Sequence, residues 1–221
     1  MRSNEELQAA VEESIKWEYL LNAAEIGVTA KDGIVTLTGV VDSFTKKYEA
    51  ENAAKSVSGV KVVVEKIEVQ IGRHDKATDN DIANEILNSF KYHSDIPEER
   101  IKVRVEDGWV TLEGDLEHYY HKDSAYKAVV HLFGVTGITN NLVIKSEVED
   151  KIEKIEIESA IKRNWMVMDQ HINIEVYGNR VTLSGSVDSL YQKNEAARIA
   201  WNAPGVVNVD NLLEVEYLMV V

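Results

Sequence analysis

Val35-Thr36-Leu37-Thr38-Gly39 is a segment that returns twice further along the chain. The other two copies are Val110-Thr111-Leu112-Glu113-Gly114 and Val181-Thr182-Leu183-Ser184-Gly185. Twenty residues after the glycine of each copy stands a Gly-Val pair, namely Gly59-Val60, Gly134-Val135 and Gly205-Val206. Successive copies lie 75 and then 71 residues apart, which predicts three tandem repeats of one small domain.

Each repeat is predicted to begin with a helix and a strand hairpin. Ser3 and Glu6 form a capping-box pattern, after which Leu7, Val11 and Ile15 fall on one helical face. The matching apolar faces in the other repeats are Ile82, Ile86 and Phe90, and then Ile157, Ala160 and Ile161. The predicted hairpin turns are Asp32-Gly33, Asp107-Gly108 and Gly178-Asn179, because these residues tolerate positive φ.

A second helix and a third strand complete each repeat. The helix is predicted over 44–57, 119–132 and 190–202, and the glycine of each Gly-Val pair ends it. The order αββαβ indicates an α+β fold of three tandem domains, each with two helices packed on a three-stranded mixed sheet. The predicted domains are residues 1–73, 74–146 and 147–221.

Composition excludes several classes of protein. The 221 residues carry a net charge of −14, and every third of the chain is acidic, which argues against nucleic-acid binding. There is no cysteine, so disulfides, thiol catalysis and zinc–thiolate sites are excluded. No apolar run is long enough to predict a transmembrane segment. The N-terminus lacks an apolar signal core, so we expect a cytoplasmic protein, or a periplasmic one if a signal segment precedes Met1.

The repeat resembles the BON domain (bacterial OsmY and nodulation) over essentially the whole chain. The resemblance rests on Val-Thr-Leu-x-Gly and on the glycine pairs Gly39/Gly59, Gly114/Gly134 and Gly185/Gly205. An asparagine that typically follows is present as Asn140 and Asn211, whereas the first repeat has Glu65. The resemblance implies an αββαβ fold without enzymatic activity, a link to osmotic stress and the cell envelope, and phospholipid or membrane-surface interaction.

Two sets of residues are candidates for a site within the repeats. The motif glycines could line a ligand surface, but a bend or close backbone approach at a strand end explains them better. In the second repeat, His118 and His121 are spaced so that both could face one metal ion, although surface histidines at a helix start are commoner. No motif predicts a cofactor, a phosphate-binding loop or a catalytic nucleophile.

Aromatic residues are candidates for contact with a ligand or a membrane. They are Trp17, Trp109, Tyr119, Tyr120 and Trp165. Such side chains suit a membrane interface or a protein partner, and ordinary burial in the core or between repeats is the competing interpretation. The apolar C-terminus, 217–221, is a further candidate for packing against another repeat or chain.

Three functions remain open at the level of sequence. The first is a non-enzymatic binding protein, in which three linked domains hold a phospholipid surface or an envelope component. The second is a module for protein–protein interaction or self-assembly through open strand edges. The third is a small-cation binding protein, since the acidic balance attracts cations.

Overall fold

The computed structural model describes residues 2–72, 77–145, 154–164, 166–167 and 171–216. Trp165 and the C-terminal segment 217–221, both predicted contact candidates, lie outside the described residues. The predicted α+β fold of three tandem repeats is confirmed, with two helices and one mixed sheet in each repeat.

The helices and strands follow the predicted order in every repeat. The first repeat contains α1 (Asn4–Trp17), β1 (Ile26–Lys31), β2 (Ile34–Val41), α2 (Phe44–Ser56) and β3 (Val62–Val69). The second contains α3 (Asp79–Tyr92), β4 (Lys102–Glu106), β5 (Trp109–Leu116), α4 (Tyr119–Val130) and β6 (Gly137–Ile144). The third contains α5 (Lys154–Arg163), β7 (His171–Tyr177), β8 (Arg180–Val187), α6 (Leu190–Trp201), β9 (Asn208–Asn211) and β10 (Glu214–Val215).

The middle strand of each repeat carries the Val-Thr-Leu-x-Gly segment and organises the sheet. In the second repeat, β5 pairs antiparallel with β4 and parallel with β6. In the third, β8 pairs antiparallel with β7 and parallel with both β9 and β10, which are separated only by the exposed Leu212 and the buried Leu213. The first repeat has the corresponding order β1-β2-β3. Valine and leucine of the segment point toward the helices, where Val35 and Leu37 are fully buried.

The first helix of each repeat forms as the sequence predicts. The predicted capping box of Ser3 with Glu6 is present, and Thr78 with Asp81 forms a second one at the start of α3. The predicted apolar faces are buried, except that Ala160 of the third repeat is only half-buried.

The second helices begin as predicted but end one or two residues earlier. The chain there tightens into three-residue turns, such as that from Leu132 N–H to Val129 O.

The described residues fall into two compact units. One lies within Met1–Gly39, Glu49–Ile67 and Val148–Val221, and the other within Val40–Tyr48 and Glu68–Glu147. In the second unit, Phe44 and Tyr48 of the first repeat join the hydrophobic core of the second repeat. The domain limits 1–73, 74–146 and 147–221 therefore describe repeats in the sequence, and as folding boundaries they stay a prediction.

Candidate interaction surfaces

The hairpin tips of the first two repeats are held by the start of the first helix. Asn4 Oδ1 accepts a hydrogen bond of 2.8 Å from the backbone N–H of Asp32. Asp79 does the same in the second repeat, where its two carboxylate oxygens accept from Asp107 and Gly108 at 3.0 and 2.9 Å. These contacts fix the hairpin turns, so the polar side chains of Asn4 and Asp79 have a structural role.

The strand glycines are explained by backbone geometry. Gly39, Gly114 and Gly185 have φ of 144°, 153° and 114°, a region that other residues rarely adopt. A Cβ atom on them would lie 2.1, 2.1 and 2.0 Å from a carbonyl oxygen at or just before the start of the preceding strand. The glycines Gly59, Gly134 and Gly205 also have positive φ, as expected after a helix. Both sets of glycines thus have a structural reason to recur.

A lysine and an asparagine fix the third strand, and the sequence did not reveal this role for the lysine. Lys122 Nζ donates to Leu142 O at 2.6 Å, and Lys193 Nζ donates to Leu213 O at 2.6 Å. The asparagine side chains accept hydrogen bonds from the backbone N–H groups of the same two leucines. In the first repeat, the Glu65 carboxylate accepts from Ile67 N–H, so this departure from the motif keeps its role. Burial lowers the pKa of Lys122.

The end of α1 carries Trp17, the most exposed of the predicted aromatic candidates that lie within the described residues. Trp17 is 79% exposed, and its indole N–H donates to the Glu13 carboxylate at 2.7 Å. Tyr19 follows at 89% exposure and Leu20 at 37%. These three residues, which we call the α1-end surface, expose apolar side chains within four consecutive positions of the chain. Exposed apolar residues scattered singly are ordinary, so this grouping makes the helix end a candidate for contact with another surface.

The Trp109 side chain packs against the sheet, although part of it is exposed. Its ring lies against Gly137, its partner on β6, where even a methyl group would have no room. The indole N–H donates to Thr139 Oγ1 at 2.9 Å, and the side chain remains 48% exposed. An aromatic ring that covers a cross-strand glycine stabilises the strand pair. Trp109 therefore has a structural role in addition to any contact it makes.

The remaining candidates meet at the start of α4. His118, Tyr120 and His121 have their rings together, with 5.4 Å between the centroids of the two imidazoles. Tyr119 is half-buried next to them, and Tyr120 is 46% exposed. Across the described residues, no group of three or more His, Asp or Glu side chains is arranged to hold a metal ion. Metal binding by the two histidines stays a prediction.

None of the helices that the structure describes has both the length and the apolar content needed to span a bilayer.

A family model described as the BON domain matches residues 3–71, 78–146 and 150–217. Among curated proteins, Osmotically-inducible protein Y of Escherichia coli (strain K12) is 29% identical over 129 residues, which cover 57% of this chain and 64% of that protein. The match therefore spans less than two thirds of that relative's length.

Two solved structures of CdsD, a structural protein of the type III secretion system of Chlamydia trachomatis, are also similar to the chain. They share 14% and 13% identity with it, and both alignments have a TM-score of 0.26. The first covers 93% of this chain and 90% of the other, and the second covers 98% and 100%. A TM-score of this size supports no conclusion about fold or function.

Proposed function

The chain belongs to the BON domain family, with three copies of the domain, and we propose that it is a non-enzymatic, stress-related binding protein that docks on phospholipid surfaces. The relative named as osmotically inducible supports the link to osmotic stress. The observation that carries the phospholipid part is the α1-end surface, where Trp17 and Tyr19 are 79% and 89% exposed. Tryptophan and tyrosine favour the boundary between lipid headgroups and acyl chains.

The negative charge of the chain indicates that it would bind a membrane by inserting apolar side chains rather than by electrostatic attraction to lipid headgroups. The net charge of −14 opposes approach to an anionic bilayer, within a Debye length of roughly 8 Å at physiological salt. Residues 1–73 carry only −3 of that charge, so the α1-end surface belongs to the least acidic repeat. The protein should therefore prefer zwitterionic membranes, and added salt should strengthen its binding to anionic ones.

Flotation with vesicles tests this proposal. We expect the full chain to float with phosphatidylcholine vesicles, and less with vesicles that contain phosphatidylglycerol at low salt. Replacing Trp17 and Tyr19 together by alanine should lower the partition coefficient by about tenfold or more. Each large apolar side chain that leaves water on binding contributes roughly 1.5–3 kcal/mol of free energy, and the variant loses this contribution. Both side chains are exposed, so the variant should keep its fold.

The matched control is Tyr177→Ala. Tyr177 is 88% exposed at the hairpin of the third repeat and is not part of the α1-end surface, so its loss should leave flotation unchanged. If the full chain fails to float with either kind of vesicle at any salt concentration, the phospholipid proposal is wrong. Equal flotation of the double variant and the unaltered chain would also remove the α1-end surface from it.

A further inference from the structure

Two clefts lie at the corresponding place in the first two repeats, where the start of the first helix meets the hairpin turn. Residues 3–4 and 32–33 line the cleft of the first repeat, which we call the α1 cleft and which has a volume of about 560 Å³. Residues 78–79 and 107–108 line the cleft of the second repeat, the α3 cleft, with a volume of about 610 Å³. Both volumes fall within the roughly 300–1,000 Å³ of ordinary ligand pockets, so each cleft has room for several side chains.

Each cleft is also lined by the end of a third strand that belongs to a different repeat. Gln70, just after β3, lines the α3 cleft, and Glu216, just after β10, lines the α1 cleft. These two residues correspond, because each follows the strand glycine of its own repeat by 31 positions. Gln70 N–H donates to Val41 O at 2.8 Å, and Glu216 N–H donates to Val187 O at 2.8 Å. The chain therefore approaches both clefts from corresponding positions.

In the α3 cleft, the residue that follows Gln70 supplies an apolar side chain. Ile71 lines this cleft together with Ala77, and both residues are half-buried. Ala77 Cβ lies only 2.8 Å from a Cβ placed on Gly134, so this side chain covers the glycine closely. Gly108 and Gly134 are accordingly buried. The glycine backbone of this corner is thus covered by apolar groups.

The α1 cleft contains the corresponding glycines with less cover. Gly33 and Gly59 line it, and both are only half-buried. Two methylene carbons of Lys61 lie 3.0 Å from a Cβ placed on Gly33, so the apolar stem of this lysine forms part of the cleft. The side chain of Leu7, which is 4% exposed, also lines it. The α1 cleft therefore offers apolar surface that the described residues leave partly exposed.

The segment that follows Glu216 has the chemistry to cover this surface. Its residues carry no charged side chain; they are Tyr217, Leu218, Met219, Val220 and Val221. Tyr217 corresponds to Ile71 of the α3 cleft, and the four residues after it are aliphatic or thioether side chains. A run of five such residues is unfavourable in water, so the segment is stabilised by contact with another apolar surface.

We propose that the segment 217–221 docks in the α1 cleft of its own chain and acts as a clasp between the third repeat and the first. Glu216 already lines the cleft, and the next four residues reach up to roughly 13 Å beyond it, at about 3.3 Å per residue. Docking buries the apolar side chains of the segment against Leu7 and the stem of Lys61. Tyr217 then takes the place that Ile71 has in the α3 cleft.

Disulfide trapping in the full chain tests the clasp, since the sequence contains no cysteine that could compete. Glu5, which is exposed and lines the α1 cleft, is replaced by cysteine. A second cysteine replaces Val220 in one variant and Val221 in another. Under mild oxidation, we expect at least one pair to form a disulfide within the chain, because docking brings the two thiols within bonding distance. If disulfides form only between chains, or not at all, the proposal is wrong.

The matched control keeps both cysteines and adds L218N/M219N, which removes apolar character without changing charge or chain length. If the segment docks through its apolar side chains, the disulfide within the chain should form at least about fivefold more slowly in this background. If the segment is near Glu5 only because Glu216 is, the two rates should be equal, and the proposal fails.

Amide exchange of L218N/M219N without cysteines gives a second readout. Leu7 N–H donates to Ser3 O and Ile82 N–H donates to Thr78 O, both at 3.0 Å, at helix starts that are closed by capping boxes. We expect Leu7 N–H to exchange roughly threefold to tenfold faster than in the unaltered chain, because the α1 cleft loses its cover. Ile82 N–H, beside the α3 cleft, should not change. Unchanged exchange at Leu7, or an equal acceleration at Ile82, contradicts the proposal.

Discussion

The helices α4 and α6 occupy the same place in the second and third repeats, and they begin with different chemistry. Ser189 and Gln192 close the start of α6, whereas His118 leaves the start of α4 without a side-chain cap. Both helices nevertheless bond to the third strand in the same way, through Lys122 and Lys193 at 2.6 Å. The fold is therefore set by residues that recur in every repeat, and the helix starts are free to differ.

Gly185→Ala should have the largest effect on this shared scaffold. Gly185 has φ of 114°, and a Cβ atom there would lie 2.0 Å from His171 O. Strain and a backbone clash act together, so we expect a loss of more than about 4 kcal/mol in the free energy of unfolding. Hydrogen exchange of β7 and β8 would measure it.

Gly178→Ala in the same repeat is the matched control. Gly178 also has positive φ, at 58°, but apart from its two chain neighbours no atom of the described residues lies within 4 Å of a Cβ placed there. The cost should be about 1–2 kcal/mol, which is that of the left-handed backbone alone. Equal losses at Gly185 and Gly178 would show that the close approach of the two strands is not what requires glycine.

Phe44→Ala should have the next largest effect, and it tests whether repeats can be compared as separate domains. Phe44 begins α2 of the first repeat but is buried in the core cluster of the second, with Val129 and Val130. We expect a loss of about 3 kcal/mol, which is the lower end for removing a buried phenylalanine. Faster amide exchange in α4 would confirm it. If only the first repeat loses protection, Phe44 belongs to that repeat alone.

The shared scaffold could be predicted from the sequence because its signals are local. The segment from Val181 to Gly185 shows the alternation of a strand, and the capping box of Ser3 with Glu6 marks a helix start. Glu65 departs from the motif by residue name, yet it bonds to Ile67 N–H as the asparagines bond to their leucines. A carboxylate and an amide share an acceptor oxygen, which a comparison of residue names does not show.

Contacts between distant residues could not be predicted. The spacing of His118 and His121 indicates that their rings are close, but nothing in the sequence places Asp95 and Arg100 near them. The same holds for Phe44, whose burial in the core of another repeat depends on packing. The degree of exposure at Trp17 also depends on which neighbours cover the helix end. Local periodicity predicts the elements, whereas the surfaces follow from how the elements meet.

Lys122→Met and Lys193→Met should each have an intermediate effect. Each lysine donates to a strand carbonyl at 2.6 Å, and methionine keeps the apolar stem but removes the donor. An unsatisfied carbonyl costs about 1–3 kcal/mol, and both repeats should respond alike in denaturant titrations. As a control, Lys127→Met removes a lysine that is 58% exposed and should change stability by less than about 0.5 kcal/mol. A similarly small effect at Lys122 would exclude it from the scaffold.

The smallest expected effects distinguish the two helix starts directly. Ser189→Ala should cost about 1 kcal/mol, because it removes the N-cap acceptor of Gln192 N–H. His118→Ser should act in the opposite direction at pH 7.5, since it supplies an acceptor where the side chain now makes no capping bond. We expect a gain of up to about 1 kcal/mol, measured by amide exchange within α4. If His118→Ser instead lowers the stability of α4 at pH 7.5, packing of the imidazole stabilises this helix start by more than a serine cap would.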